Sequence, residues 1–251
     1  MGKFLTSDKP ALTVMLQCRT PEVAIGRIRN ALHLGADAFG LQVESLLPEY
    51  QNPETYQRLF KEMRGKPAYV TNYHSSSNKG KSDEELAEGL LTLADCGATL
   101  CDVQGDLFAP HPLQMTEDKA AIEKQMALIE KLHAKGAEVL MSAHTNCYLP
   151  GEKVLELALE QKRRGADIIK IVTDAPDMQA QLENMKTIDL LKRELGAPFL
   201  FLCGGECGML RRLGTKLGNC MALCVYEHDA LSTPPQPLLS TMKTVRDCID
   251  F

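Results

Sequence analysis

Five times along the chain an amphipathic stretch runs into the dipeptide Gly-Ala and a short apolar run follows. The pairs are Gly35-Ala36, Gly97-Ala98, Gly136-Ala137, Gly165-Ala166 and Gly196-Ala197. A glycine directly after the last helical turn supplies the left-handed residue that ends a helix. From Gly97 onward the pairs return about every 30 residues, and Gly35 to Gly97 spans two such steps, the repeat expected of strand-helix units. The strand-like runs are "ALTVMLQ" (11–17), "AFGLQV" (38–43), "AYVTNYH" (68–74), "TLCDVQG" (99–105), "EVLMSAH" (138–144), "DIIKIVT" (167–173), "PFLFLCG" (198–204) and "CMALCVY" (220–226). Their near-continuous apolar character suits strands covered on both faces. The 251 residues match the roughly 250 that eight units require. The pattern predicts an α/β protein, a single (β/α)8 TIM barrel forming one domain over 1–251, with a doubly wound open sheet as the alternative. Helix starts are marked too: Thr20-Pro21 gives an N-cap with proline at the first helical position, and Ser82 with Glu85 gives a capping box. In the helix over 117–135, Ile122, Met126, Ile129 and Leu132 form one apolar face.

The formal charge is −5, with both signs mixed along the chain, so no basic stripe for nucleic acid is present. No apolar run approaches the roughly 20 residues of a membrane span. The nine cysteines are odd in number, and several lie in apolar runs, which suits free thiols in a reducing compartment, the cytoplasm. Cys203, Cys207, Cys220 and Cys224 lack the usual CxxC spacing, and no metal is expected.

In such a barrel the chemistry sits at the carboxyl ends of the strands. Those ends read Gln17, Gln42-Val43-Glu44, Asn72-Tyr73-His74, Asp102-Val103-Gln104, Ser142-Ala143-His144, Lys170, "CGGECG" (203–208) and Tyr226-Glu227-His228. Lys170 interrupts the apolar run "GADIIKIVTD". As a structural residue it would pair with Asp167 or Asp174, of which only Asp174 shares its strand face. As a chemical residue, an amine among apolar walls is favoured in its neutral form, and a neutral amine forms an imine with a ketone or aldehyde. His144 ends the preceding strand just before turn residues. An imidazole there can take a proton from the carbon beside an iminium and return it.

Four segments, in order, resemble the type I 3-dehydroquinate dehydratases, and the likeness runs from about residue 12 to 248. "VLMSAHTNCYLPG" is similar to that family's histidine segment, "ADIIKIVTDA" to its lysine segment, "GMLRRLGTKLGN" to its arginine segment and "LSTPPQ" to its closing loop. The resemblance implies that Lys170 forms the imine and His144 is the general acid/base. It implies that Arg212, Ser232 and Gln236 hold the substrate carboxylate, a role that suits a guanidinium fork, and that Gln17, Gln42 and Tyr73 complete the substrate site. It also implies a homodimer and a place in the shikimate pathway. Departures are concentrated on one side. Gln42 and Glu44 stand where the family has a glutamate and an arginine, and Tyr73 stands for a second arginine. The family's histidine-orienting glutamate falls near Ser77, and a fourth-strand glutamate appears as Gln104. Tyr73, His74 and Glu44 are the candidates to orient His144 instead.

The expected reaction is loss of water from 3-dehydroquinate, giving 3-dehydroshikimate, or from a related cyclic hydroxy-keto acid. No cofactor is called for, because the lysine imine is the electron sink. A class I aldolase would use the glycines of "CGGECG" for a phosphate, which Glu206 would repel. A barrel that binds a small molecule without turnover is the third reading.

Overall fold

The computed structural model describes residues 3–249. Eight strands alternate with helices: β1 (Ala11–Leu16), α1 (Pro21–His33), β2 (Ala38–Gln42), α2 (Pro53–Glu62), β3 (Ala68–Thr71), α3 (Asp83–Cys96), β4 (Leu100–Gln104), α4 (Lys119–Ala134), β5 (Glu138–His144), α5 (Gly151–Arg163), β6 (Ile168–Asp174), α6 (Met178–Glu194), β7 (Phe199–Gly204), α7 (Leu210–Leu217), β8 (Met221–Cys224) and α8 (Leu239–Cys248). All neighbouring strands are parallel, in the order β7-β6-β5-β4-β3-β2-β1-β8. The fold is the (β/α)8 barrel that the repeat predicts. All five Gly-Ala glycines have positive φ, from 59° at Gly196 to 116° at Gly97, so the punctuation that revealed the units is the left-handed cap itself. The Ser82–Glu85 capping box is complete. Thr20 precedes Pro21 as expected, but its side chain makes no cap bond.

Strand parity sorts the core into two shells. Leu12, Val14, Leu41, Val70, Val103, Ile169 and Ile171 pack outward against the helices. Met15, Tyr69, Leu100, Leu140, Ile168, Leu200 and Leu223 fill the barrel. Phe4, buried in that inner cluster, plugs it from below, and its backbone N–H donates to Glu138 Oε2 at 2.7 Å. In α4 the buried face differs from the expected one. Gln125 and Leu128 are buried beside Ile129 and Leu132, while Ile122 and Met126 are half-buried. A polar residue takes the inner position because its amide donates to the carbonyls of Gly105 and Leu107, at 3.0 and 2.8 Å.

Closure between β7 and β8 rests on very few bonds. Cys220 N–H donates to Phe199 at 2.9 Å. Above it, the buried amide of Asn219 takes the place of a strand residue: its Oδ1 accepts from Phe201 N–H at 2.8 Å and its Nδ2 donates to Phe201 C=O at 2.9 Å. Asn219→Ala leaves both backbone groups buried without partners, at about 1–3 kcal/mol each. We expect it to lower unfolding stability by about 2–5 kcal/mol in a urea titration; a change under about 0.5 kcal/mol would show that the seam closes without this amide.

Candidate active site

Inner-facing parity carries Gln42, Tyr69, Thr71, Tyr73, Asp102, Gln104, Ser142, His144 and Lys170 toward the barrel axis. Ser142 pairs in register with Lys170, and His144 with Val172. His144 therefore stands one inward step nearer the mouth than the amine, on the adjoining strand.

Lys170 is 4% exposed. Its Nζ lies 3.2 Å from Asp102 Oδ2, 3.1 Å from Tyr69 Oη and 3.3 Å from Tyr73 Oη. Both phenols also donate to Asp102 Oδ2, and Ser142 Oγ donates to Oδ1 at 2.5 Å. Burial, reinforced by the Asp102 charge, pushes both tyrosines well above their ordinary range, so they remain donors. The expectation of apolar walls is thus corrected. The amine meets a carboxylate and two phenols, and each of its three N–H groups has an acceptor. Neither sequence-neighbouring acid is its partner. Asp167 binds His133, and Asp174 has no bond to the amine among the described residues.

His144 is half-buried. Its Nδ1 and its own backbone N both lie 2.9 Å from Gln114 Oε1, and the Tyr73 ring meets it edge-on with centroids 6.0 Å apart. Burial first, then the positive charges of Lys170 and Arg211, push the imidazole down to about 3, with Asp102 opposing. Of the three candidate orienting groups, none holds the ring by a hydrogen bond: His74 pairs with Asp83 at 2.6 Å, and Glu44 accepts from Thr71 Oγ1 at 2.9 and 3.1 Å. A cleft of about 870 Å³ opens beside Tyr73, Gln104, Gln114 and His144.

The remaining predicted residues divide. Gln17 is buried with both ends of its amide on Thr233, 2.6 Å to Oγ1 and 3.0 Å from N–H; it ties the β8–α8 segment over β1. Ser232 is buried and donates to Asp229 Oδ1 at 2.9 Å. Gln236 is buried with an unpartnered Oε1. Gln42 Nε2 reaches Glu44 at 3.4 Å. Arg212 is exposed. The arginine that turns inward is its neighbour, Arg211, whose Nε donates to Cys203 C=O at 3.0 Å at the end of β7. The buried face of α7 runs through Leu210 and Gly214, and one residue of helix, about 100°, carries Arg212 away from it. In the "CGGECG" loop, a Cβ on Gly205 (φ 74°) would meet Asp174 Oδ1 at 2.4 Å and Ala175 O at 2.7 Å. That glycine makes a tight turn against oxygens, which is no cradle for phosphate. All nine cysteines are free. Among the described residues no group of His, Cys, Asp and Glu is arranged to hold a metal, and no helix is long and apolar enough to cross a membrane.

Sequence reasoning placed Asp102 and Ser142 at strand ends without a role, and passed over Tyr69, Gln114, Arg211 and Arg27. Asp102 carried the same signal as Lys170, a lone charge in an apolar strand run. Arg27 is buried on α1 and binds Glu227 at 3.2 Å and Asp229 at 2.5 Å, fixing the β8–α8 segment; nothing local in the sequence marks it.

Glu44 is 2% exposed, and burial, helped by Asp102, pushes its carboxyl up to about 7. Between its ordinary range and that value the unfolded chain has lost a proton that the fold retains, so stability falls as pH rises through this window. Glu44→Gln should match the wild type near pH 4 and exceed it by about 3 kcal/mol at pH 8. Urea unfolding at both pH values checks this; an equal difference at both would show that the carboxyl titrates as usual.

The family model for type I 3-dehydroquinase matches residues 12–250. Among solved structures, 3-dehydroquinate dehydratase from Geobacillus kaustophilus is 16% identical with a TM-score of 0.79, covering 96% of this chain and 91% of that one. Type I 3-dehydroquinate dehydratase from Clostridium difficile, solved with covalent modified comenic acid, is 16% identical with a TM-score of 0.80, covering 97% and 93%. The Enterococcus faecalis 3-dehydroquinate dehydratase is 17% identical with a TM-score of 0.76, covering 98% and 97%. No curated protein matches.

Proposed function

The chain belongs to the type I 3-dehydroquinase family, and from that premise we propose that it is a lysine-imine hydro-lyase acting on a cyclic hydroxy-keto acid, with 3-dehydroquinate as the first substrate to test. The observation that carries the proposal is Lys170, buried at the barrel mouth with Asp102 at 3.2 Å and an imidazole on the next strand. The ammonium passes a proton to Asp102, the nearest anionic acceptor, and the freed amine attacks the ring ketone. Asp102 returns that proton to the oxygen that departs as water when the imine forms, and Tyr69, held protonated by burial 3.1 Å from Nζ, steadies that oxygen with a hydrogen bond. The iminium acidifies the adjacent C–H. His144 takes that proton and gives one to the β-hydroxyl, which leaves as water. Imine hydrolysis then restores the amine and releases 3-dehydroshikimate or its analogue. Each proton-transfer role is worth about 10²–10⁴-fold.

The altered positions bear on substrate choice. Tyr73 is engaged with Asp102 and Lys170, and Glu44 with Thr71, so neither replaces an arginine as a ligand for a ring hydroxyl. Gln104 lines the cleft as a neutral amide. A substrate with fewer hydroxyls on that side fits this reading.

Borohydride added during turnover should leave a reduced adduct on Lys170, seen as a mass increase confined to its peptide and lost in Lys170→Ala. An unmodified mass with active enzyme would remove the imine step. For the carboxylate anchor, we expect Arg211→Ala to raise KM by about 10-fold or more, in line with about 1.5–3 kcal/mol for a hydrogen bond to a charged group. Arg212→Ala should change KM less than 3-fold, and the reverse order would return the role to Arg212.

A further inference from the structure

Gln114 sits at φ 49° in the segment between β4 and α4. We propose that Gln114 is the positioning residue that fixes His144 as a neutral base with its lone pair on Nε2, in place of a carboxylate partner. The assignment follows from the donor inventory. The backbone N–H of His144 can only donate, so the Gln114 atom 2.9 Å away is the amide oxygen. That same oxygen lies 2.9 Å from Nδ1, so Nδ1 bears the hydrogen. Nε2, with no partner among the described residues, keeps its lone pair at the cleft.

The groups that face the ring are the Lys170 ammonium from β6, Arg211 from α7, Asp102 from β4 and the edge of Tyr73. The one anion already accepts from both phenols, Ser142 and Lys170. An amide oxygen orients imidazole without offering the full charge that would stabilise imidazolium. Once the imidazole takes the C–H proton it becomes a strong acid and readily passes a proton to the leaving hydroxyl.

The segment is anchored at both ends from a second direction. Arg164, 3% exposed, donates to Gly105 C=O at 3.0 Å and to Thr116 C=O at 2.6 Å, and also to Gln125 at 2.9 Å. Gln125 donates in turn to Gly105 and Leu107. A non-glycine residue in the left-handed region needs such support.

The consequence for turnover rests on the dehydratase reading; the tautomer does not. Nitrogen-15 NMR of the His144 ring in resting protein should show hydrogen on Nδ1 and no protonation down to pH 5. Gln114→Glu should keep that tautomer, bring protonation into the accessible range, and move the acid limb of kcat/KM up by about one pH unit or more. Gln114→Leu should mix the tautomers and lower kcat about 10–100-fold with little change in KM; if that variant fails to fold, the glutamate variant decides alone. Hydrogen on Nε2 in the wild type, or a glutamate variant whose ring titration and pH limb both stay unmoved, overturns the proposal. Borohydride trapping on each protein separates the two readings: the expected NMR with no Lys170 adduct keeps the tautomer and removes the dehydratase.

Discussion

The ion pair between Lys170 and Asp102 sets the terms for the rest of the barrel mouth. Two charges withdrawn from water cost several kcal/mol each, and their attraction offsets this only when every remaining donor and acceptor is also satisfied. Here the set is closed by Tyr69, Tyr73 and Ser142. Tyr69 reaches Asp102 because β2 carries glycine at position 40. A Cβ there would meet Met15 Sδ at 2.3 Å and Tyr69 Cδ1 at 3.0 Å. A packing choice in β2 therefore bears on whether a charge pair between β4 and β6 can be buried, and whether an amine is available inside the ring.

How much of this was legible in the sequence depends on the range of the physics involved. The Gly-Ala caps, the capping box at Ser82 and the strand runs are local, and local chemistry gave the fold. Lys170 and His144 stood out because a polar residue at an apolar strand end is conspicuous within a few residues. Asp102 was equally conspicuous, but its meaning lay in a register across β5 that no single strand displays. Gln114 sits in an irregular segment whose path is set by Arg164, 50 positions later in the chain, and by Gln125. Arg211 and Arg212 are adjacent arginines on one short helix; only the direction of its buried face distinguishes them. The rotated face of α4 has the same origin, since Gln125 is buried by partners outside its own helix.

The departures from the family pattern take a different form once the side chains are placed. Tyr73, in place of an arginine, joins the lysine cluster. Glu44, in place of another, is a buried carboxyl held by Thr71 and largely protonated below neutrality. Gln17 anchors Thr233. These replacements remove cations from one side of the mouth, and Glu44, buried there without one, retains its proton up to about neutrality. Removing arginines alone would have left carboxylates exposed to one another; conversion of the neighbouring family glutamates to Gln42 and Gln104 lowers that repulsion.

What remains positive near the imidazole is Lys170 and Arg211, and this distribution constrains how a ligand can lie. In the proposed reaction the substrate carboxylate is drawn toward the β7 end, where Arg211 emerges, and its ketone lies over β6 to meet the amine. These two points fix the ring of a small keto acid and direct its far edge toward β3 and β4, into the cleft beside Gln104 and Gln114. The β8–α8 segment needs little ordering on binding, because Arg27 and Gln17 already hold Glu227, Asp229 and Thr233; such pre-organisation lowers the entropic cost of association. In the proposed pose the carboxylate end is held by Arg211, while the opposite end is an open cleft where Lys81, Asp83, Glu84 and Asp106 stand around the neutral amides of Gln104 and Gln114. On that reading, discrimination between related acids falls on the side chains of β3, β4 and the segments after them, which wall the open cleft.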